Sequence, residues 1–115
     1  MKTITRDTLK DKIERGDDFH LVDVLSPSHY EEVHIKGARN IPLEELRQKA
    51  PELLPDKDKE VITCCASFTC PASGMAAKIL QQMGYTNVID YSGGIKDWTE
   101  AGYPVECGRV LVGAK

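Results

Sequence analysis

The stretch from Val61 to Ala77 reads Val-Ile-Thr-Cys-Cys-Ala-Ser-Phe-Thr-Cys-Pro-Ala-Ser-Gly-Met-Ala-Ala, and it constrains the architecture more than any other part of the chain. An apolar run of strand length ends at a cysteine pair. A short uncharged loop follows, and a helix-like stretch opens at Ser73. A continuous apolar run suits a strand buried on both faces, which requires a sheet covered by helices. A cysteine where such a strand gives way to a helix N-terminus meets free amides and the positive end of a helix dipole. Both favour a thiolate, so a thiol held there is expected to have a lowered pKa and to act as a nucleophile.

The rest of the chain supplies partners for that strand. Thr5 to Arg15 predicts a helix, with Leu9 and Ile13 four apart, Thr5 or Asp7 as N-cap and Gly16 as a stop. His20–Leu25 is a short apolar run read as a buried strand, and Ser26-Pro27-Ser28 opens a short helix through Tyr30 to Val33. Ala38–Ile41 reads as a brief extended piece, Leu43–Ala50 as a short helix, and Pro51 through Asp58 as a loop. Glu60–Cys65 is the strand of the opening window. Ser73–Met83 is a helix with Ala76, Ala77, Leu80 and Met83 on one face and Gly84 after it. Asn87–Tyr91 predicts another strand, Gly93-Gly94 a tight turn, and Ile95–Ala101 a last short helix. Strands alternating with helices imply an α/β domain with a mostly parallel sheet. Active crevices in such sheets lie at the C-terminal ends of the strands, where Cys65 and Asp23 fall.

At 115 residues this is one domain. Residues 107–115 read as a tail beyond a domain of residues 1–106. The net charge of −3, with both signs spread along the chain, gives no electrostatic case for nucleic acid or an anionic membrane. No stretch is long enough to span a bilayer, and the N-terminus lacks an apolar core of signal-peptide length. A cytoplasmic protein with reduced thiols is expected. Two disulfides are a poor fit for adjacent Cys64 and Cys65 in a chain that is not loop-dominated. Zinc is disfavoured too, because there is no Cys-x-x-Cys pair and His20, His29 and His34 show no ligand spacing with the cysteines.

Three motifs in order carry a resemblance. Residues 21–43, Leu-Val-Asp-Val-Leu-Ser-Pro-Ser-His-Tyr-Glu-Glu-Val-His-Ile-Lys-Gly-Ala-Arg-Asn-Ile-Pro-Leu, are followed by the cysteine loop. Residues 91–105 then close the pattern with Gly93-Gly94, Trp98 and Gly102-Tyr103-Pro104-Val105. From Ile4 to about Glu106 the chain resembles the single-domain rhodanese family of sulfurtransferases. The resemblance implies a rhodanese-like α/β fold, with a central mostly parallel sheet of about five strands and helices on both faces. By the family register Cys65 is the catalytic nucleophile and Cys64 precedes it. Ser73 and Ala76-Ala77 match the family's helix start, which makes this loop two residues longer than the common form. Cys70 then lies inside the loop. The loop arginine is absent, and there is no arginine from Gln48 through Gly108; Leu25 also stands where the family usually has arginine.

The implied reaction is sulfur transfer. The Cys65 thiolate takes the outer sulfur of a donor such as thiosulfate or a persulfide, and the Cys65 persulfide passes it to a thiol or another thiophile. The expected substrates are thus a small sulfur donor and a thiol acceptor, with a partner protein as a further candidate; no cofactor or metal is implied. The loop Ala66, Ser67, Phe68, Thr69, Cys70, Pro71, Ala72 and Ser73 is the candidate anion nest, with hydroxyls of Ser67, Thr69 and Ser73 as added donors. Without arginine the loop lacks a charged contact worth about 1.5–3 kcal/mol, so thiosulfate use is expected to be weak. The same gap argues against a cysteine phosphatase, whose transferring phosphoryl group needs that arginine.

Asp23 is a candidate for orienting the loop through its amides, against an ordinary strand-end carboxylate. Cys70 is a candidate second thiol that attacks the Cys65 persulfide or shields Cys65 from overoxidation. Strand alternation points Cys64 away from Cys65 and into a core. His34 reads as structural, bonding a neighbouring backbone, and Arg39 as the positive charge best placed near the C-terminal side of the sheet. The competing function is a sulfur-carrier or thiol redox-sensing module of the same fold that does not turn over.

Overall fold

The computed structural model describes residues 2–107. Its frame is a five-stranded, all-parallel sheet in the order β1-β6-β5-β2-β4. The strands are β1 (Lys2–Thr3), β2 (His20–Asp23), β4 (Arg39–Asn40), β5 (Val61–Cys64) and β6 (Val88–Tyr91). A separate antiparallel pair joins β3 (His34–Ile35) to β7 (Val105–Glu106). The helices are α1 (Arg6–Arg15), α2 (Pro27–Glu32), α3 (Leu46–Leu53, entered by a 3-10 turn at Leu43–Glu45), α4 (Ala72–Gln82) and α5 (Gly94–Glu100).

The sheet separates two cores, and alternation along the central strands decides which residue enters which. Val22, Val61 and Val88 pack with Leu46 and Ala50 of α3 and with Ala76, Ala77 and Leu80 of α4. Leu21, Ile62 and Ile89 pack on the other face with Leu9 of α1 and Trp98 of α5. The helices therefore flank both faces, as the buried strands require. Cys64 and Cys65 are consecutive, and the sheet puts them in different cores: Cys64 on the Trp98 side, Cys65 on the α4 side.

Differences from the sequence expectations have local causes. The helix expected over Leu43–Ala50 begins as a 3-10 turn and continues as α3 through Pro51 to Leu53. A proline there forfeits one backbone bond, while burial of Leu46, Ala50 and Leu54 holds the segment in place. The Tyr85 hydroxyl lies 3.0 Å from the Ala50 carbonyl and 2.6 Å from the Leu54 carbonyl, at the helix end. The two-residue strands β1, β3 and β7 were not anticipated, because two residues carry no readable period. Of the expected tail, Cys107 is exposed and 108–115 lie outside the described residues.

Candidate active site

The site is built where β5 ends. Cys65 follows the strand directly, its side chain fully buried beneath the loop that leads to α4. Two anchors fix the ends of that loop. At its start, the first turn of α5 donates to it: Ile95 N to the Cys65 carbonyl at 2.9 Å and Lys96 N to the Ala66 carbonyl at 2.9 Å. At its end, the buried Thr63 hydroxyl donates to the Ser73 carbonyl at 2.9 Å and ties the first turn of α4 to β5. Sequence reasoning gave Gly93-Gly94 a turn role only. Gly94 has φ +68°, and a Cβ there would fall on the Cys65 carbonyl oxygen and 2.7 Å from Ser67 N. Only glycine lets α5 approach the loop this closely. Thr63 was legible as the one hydroxyl in the apolar run Val-Ile-Thr-Cys, and it was passed over.

The groups facing Cys65 Sγ are mixed. The thiol donates to the Cys70 carbonyl at 3.4 Å and more weakly to Ser67 O at 3.9 Å. On its other side are the Ser73 amide and the Ser73 side chain. Ser73 is buried, its hydroxyl has no oxygen or nitrogen partner among the described residues, and that side chain favours the Cys65 anion. The net result differs from the depressed pKa expected of a helix N-terminus. Burial raises the Cys65 thiol; the Ser73 side chain and amide pull it down, and the Cys70 side chain pushes it up again. Two carbonyls turned toward the sulfur also favour the thiol form.

Cys70 is half-buried and falls below the ordinary thiol range. Burial pushes it up, but the amides of Ala66 and Ala72 and the Cys65 side chain outweigh that. The amides of the loop are thus divided between two sulfurs: Ser73 serves Cys65, Ala66 and Ala72 serve Cys70. Cys64, by contrast, is fully buried and its pKa is pushed well up by desolvation.

Among the described residues Asp23 makes no side-chain hydrogen bond to the cysteine loop. Its Oδ1 accepts from the Leu25 amide two residues on, at 2.9 Å, a local turn at the strand end. Its Oδ2 is buried without a partner, and burial raises its pKa. Asp90, unmentioned by the sequence reading, lies beside Thr63 in the β5–β6 register and has Oδ1 buried without a partner. Gly74 at the start of α4 faces it: a Cβ there would lie in ordinary contact with Asp90 Oδ2.

Two arginines are held by other groups, while Lys96 lies beside the outer side of the loop. Arg39 donates to the Leu53 carbonyl at the end of α3. Arg6 pairs with Asp97 at 3.2 Å. A cavity of about 190 Å³ lies on the outer side of the loop, lined by Ser67, Phe68, Thr69, Lys96 and Asp97 among others, and does not include Cys65. Phe68, 69% exposed, marks the tip of the loop.

A thiol thus lies between a strand end and a helix start, at the C-terminal edge of a parallel sheet. The rhodanese-like domain family matches residues 5–101, and the chain belongs to it. It is 41% identical over 78 residues to the thiosulfate sulfurtransferase PspE of Escherichia coli (strain K12), covering 68% of this chain and 72% of that one. It is 34% identical over 93 residues to the thiosulfate:glutathione sulfurtransferase of Saccharomyces cerevisiae, covering 71% of this chain and 66% of that one. The crystal structure of the BH2092 protein from Bacillus halodurans superposes with a TM-score of 0.86 at 29% identity, over 92% of this chain and 77% of that one. Family and relatives together support sulfur transfer as the general activity. Among the described residues no helix is long and apolar enough to cross a membrane.

Proposed function

We propose that the protein is a sulfurtransferase that carries sulfane sulfur as a persulfide on Cys65. The observation that carries this reading is the partnerless Ser73 hydroxyl, buried against Cys65 together with the Ser73 amide at the start of α4. A persulfide is more acidic than a thiol, and an unused donor beside the sulfur favours its anion. The loop Ala66 to Ser73 forms the anion-binding segment, with Ser73 as its strongest element. Donor access requires this loop to lift from Cys65, because the side chain is fully buried while the loop is closed.

A persulfide of a small thiol or of a partner protein is the preferred donor, and thiosulfate is secondary. The loop has no charged side chain, and Arg6 and Arg39 are held by Asp97 and by the end of α3. A sulfonate therefore meets amides and hydroxyls without a guanidinium. A low-molecular-weight thiol such as glutathione is the proposed acceptor, by analogy with the yeast relative. Residues 1–106 are proposed as the working domain, with 107–115 a tail, in a reducing compartment such as the cytoplasm.

The test offers thiosulfate, glutathione persulfide or cysteine persulfide to the wild type and to Cys65→Ser. Sulfur taken from the donor is counted in every form: bound to protein, as thiocyanate after cyanide, or as sulfide. Loss of all three in Cys65→Ser is expected. Equal yields from the two proteins with every donor would overturn the reading.

A further inference from the structure

Cys70 is a thiol that sulfur transfer by Cys65 does not need, yet its backbone lies against the Cys65 sulfur. Its carbonyl oxygen accepts from Cys65 Sγ at 3.4 Å, which puts the Cys70 backbone over the sulfur. The thiols are also electrostatically linked: the Cys70 side chain raises Cys65 and the Cys65 side chain lowers Cys70. Cys70 has its own amides, from Ala66 and Ala72, so it can hold negative charge without those that serve Cys65. Both cysteines are free, and Cys70 lies at the more open side of the loop. Of the remaining cysteines, Cys64 faces the opposite core and Cys107 is exposed on the surface beyond β7.

We infer that Cys70 is a resolving thiol, which converts the Cys65 persulfide into a Cys65–Cys70 disulfide and releases the carried sulfur as sulfide. This rests on the Cys65 persulfide proposed above and gives it a second outcome besides transfer to an external thiol. When Cys65 gains a sulfur, its Sγ becomes the inner atom of the persulfide and remains beside Cys70. Attack on that inner atom forms the Cys70–Cys65 bond. The bond between Cys65 Sγ and the outer sulfur breaks, and its electron pair leaves with the outer sulfur. The Cys70 proton goes to the outer sulfur, which departs as hydrosulfide. Two cysteine sulfurs are oxidised to the disulfide, and the sulfane sulfur is reduced to sulfide. An external dithiol, or two equivalents of a monothiol, then reduces the disulfide and restores both thiols. The activity is a thiol-dependent reduction of sulfane sulfur to sulfide.

The experiment uses the full chain with Cys107→Ser, to remove the exposed competitor, with and without Cys70→Ser. Each protein receives one equivalent of glutathione persulfide, is separated at once from small thiols, and is read by intact mass, peptide mapping and sulfide yield. The parent protein is expected to lose two hydrogens, to map a Cys65–Cys70 bond and to release about one equivalent of sulfide. Cys70→Ser is expected to gain one sulfur on Cys65 and to release sulfide at least about tenfold more slowly until thiol is added. If both proteins keep the added sulfur and neither releases sulfide, Cys65 still carries sulfur but Cys70 does not resolve it, and the inference is overturned. If the added sulfur migrates to Cys70 without sulfide release, the inference is likewise overturned. If Cys70→Ser takes up no sulfur, the Cys65 persulfide itself is overturned, and the resolving step with it.

Discussion

Two polar clusters border the sheet and use their hydrogen bonds in opposite ways. At the β3–β7 corner every group has a partner. His34 Nδ1 donates to the Tyr30 carbonyl at 2.7 Å, and His34 Nε2 lies 3.4 Å from Glu106 Oε1. Tyr30 stacks on the imidazole at 3.7 Å and donates its own hydroxyl to the Ala38 carbonyl at 2.6 Å. At the C-terminal edge of the central strands, Asp23 Oδ2, Ser73 Oγ and Asp90 Oδ1 are buried with no partner among the described residues. Buried polar groups are ordinarily paired, and each exception carries a desolvation cost of about 1–3 kcal/mol. The closed corner stabilises the fold. The open edge costs stability, and of its groups only Ser73 is a donor that favours the Cys65 anion. Both are rich in polar residues, so the distinguishing property is whether those residues are satisfied.

Four substitutions or measurements press on that contrast. Gly94→Ala should have the largest effect. A Cβ on the Cys65 carbonyl, at a positive φ, forces α5 and the loop apart, and we expect a loss of about 2–4 kcal/mol in stability with sulfur uptake nearly abolished. Chemical denaturation and single-turnover sulfur uptake would measure both; a stable and active Gly94→Ala protein would mean that α5 does not hold the loop. Ser73→Ala separates the two clusters most cleanly. It should lower the rate of sulfur uptake by about one to two decades, the worth of a hydrogen bond to a charge. Its melting temperature should not fall, since a partnerless buried hydroxyl is removed. A drop in melting temperature with normal uptake would assign Ser73 to the structural cluster.

His34→Ala is the mirror case. Loss of its bond to Tyr30 and of the stacked ring should cost about 1–3 kcal/mol of stability, read by denaturant titration, while the folded protein keeps its uptake rate. The smallest expected effect concerns the order in which thiols ionise. Cys70 lies below the ordinary thiol range and Cys65 above it. As pH rises, iodoacetamide should therefore label Cys70 before Cys65, as followed by peptide mapping. Cys70→Ser removes the thiol that raises Cys65, so labelling of Cys65 should move to lower pH. Labelling of Cys65 first in the wild type would reverse the assignment of charge within the pair.

The architecture was legible because the long elements have strong periods. Val61–Cys64 and Ala72–Gln82 lie within two residues of the segments expected from their apolar patterns. The opposite directions of Cys64 and Cys65 followed from alternation alone. His34 was read as structural, bonding a neighbouring backbone, and it does so through Tyr30. What the sequence concealed was long-range. The Asp23 carboxylate was a candidate for the cysteine loop, but a closer amide, that of Leu25, takes its Oδ1. Arg39 was expected near the C-terminal side of the sheet, and α3 draws it to the Leu53 carbonyl through a helix that outlasts its proline. The pKa of Cys65 could not be read from its place in the chain, because it depends first on burial beneath the loop and then on Ser73 and Cys70.

The two anchors of the cysteine loop bear on how such a site changes over generations. Its entry is pinned by amides of α5 and its exit by Thr63, both through backbone carbonyls of the loop. Neither anchor depends on the side chains carried between residues 67 and 72. The intervening segment is therefore an exchangeable cassette mounted on a fixed frame. Its length and side chains can change while Cys65 and the helix start stay fixed by the two anchors. Variation confined to that cassette can change the sulfur chemistry without requiring the sheet to refold.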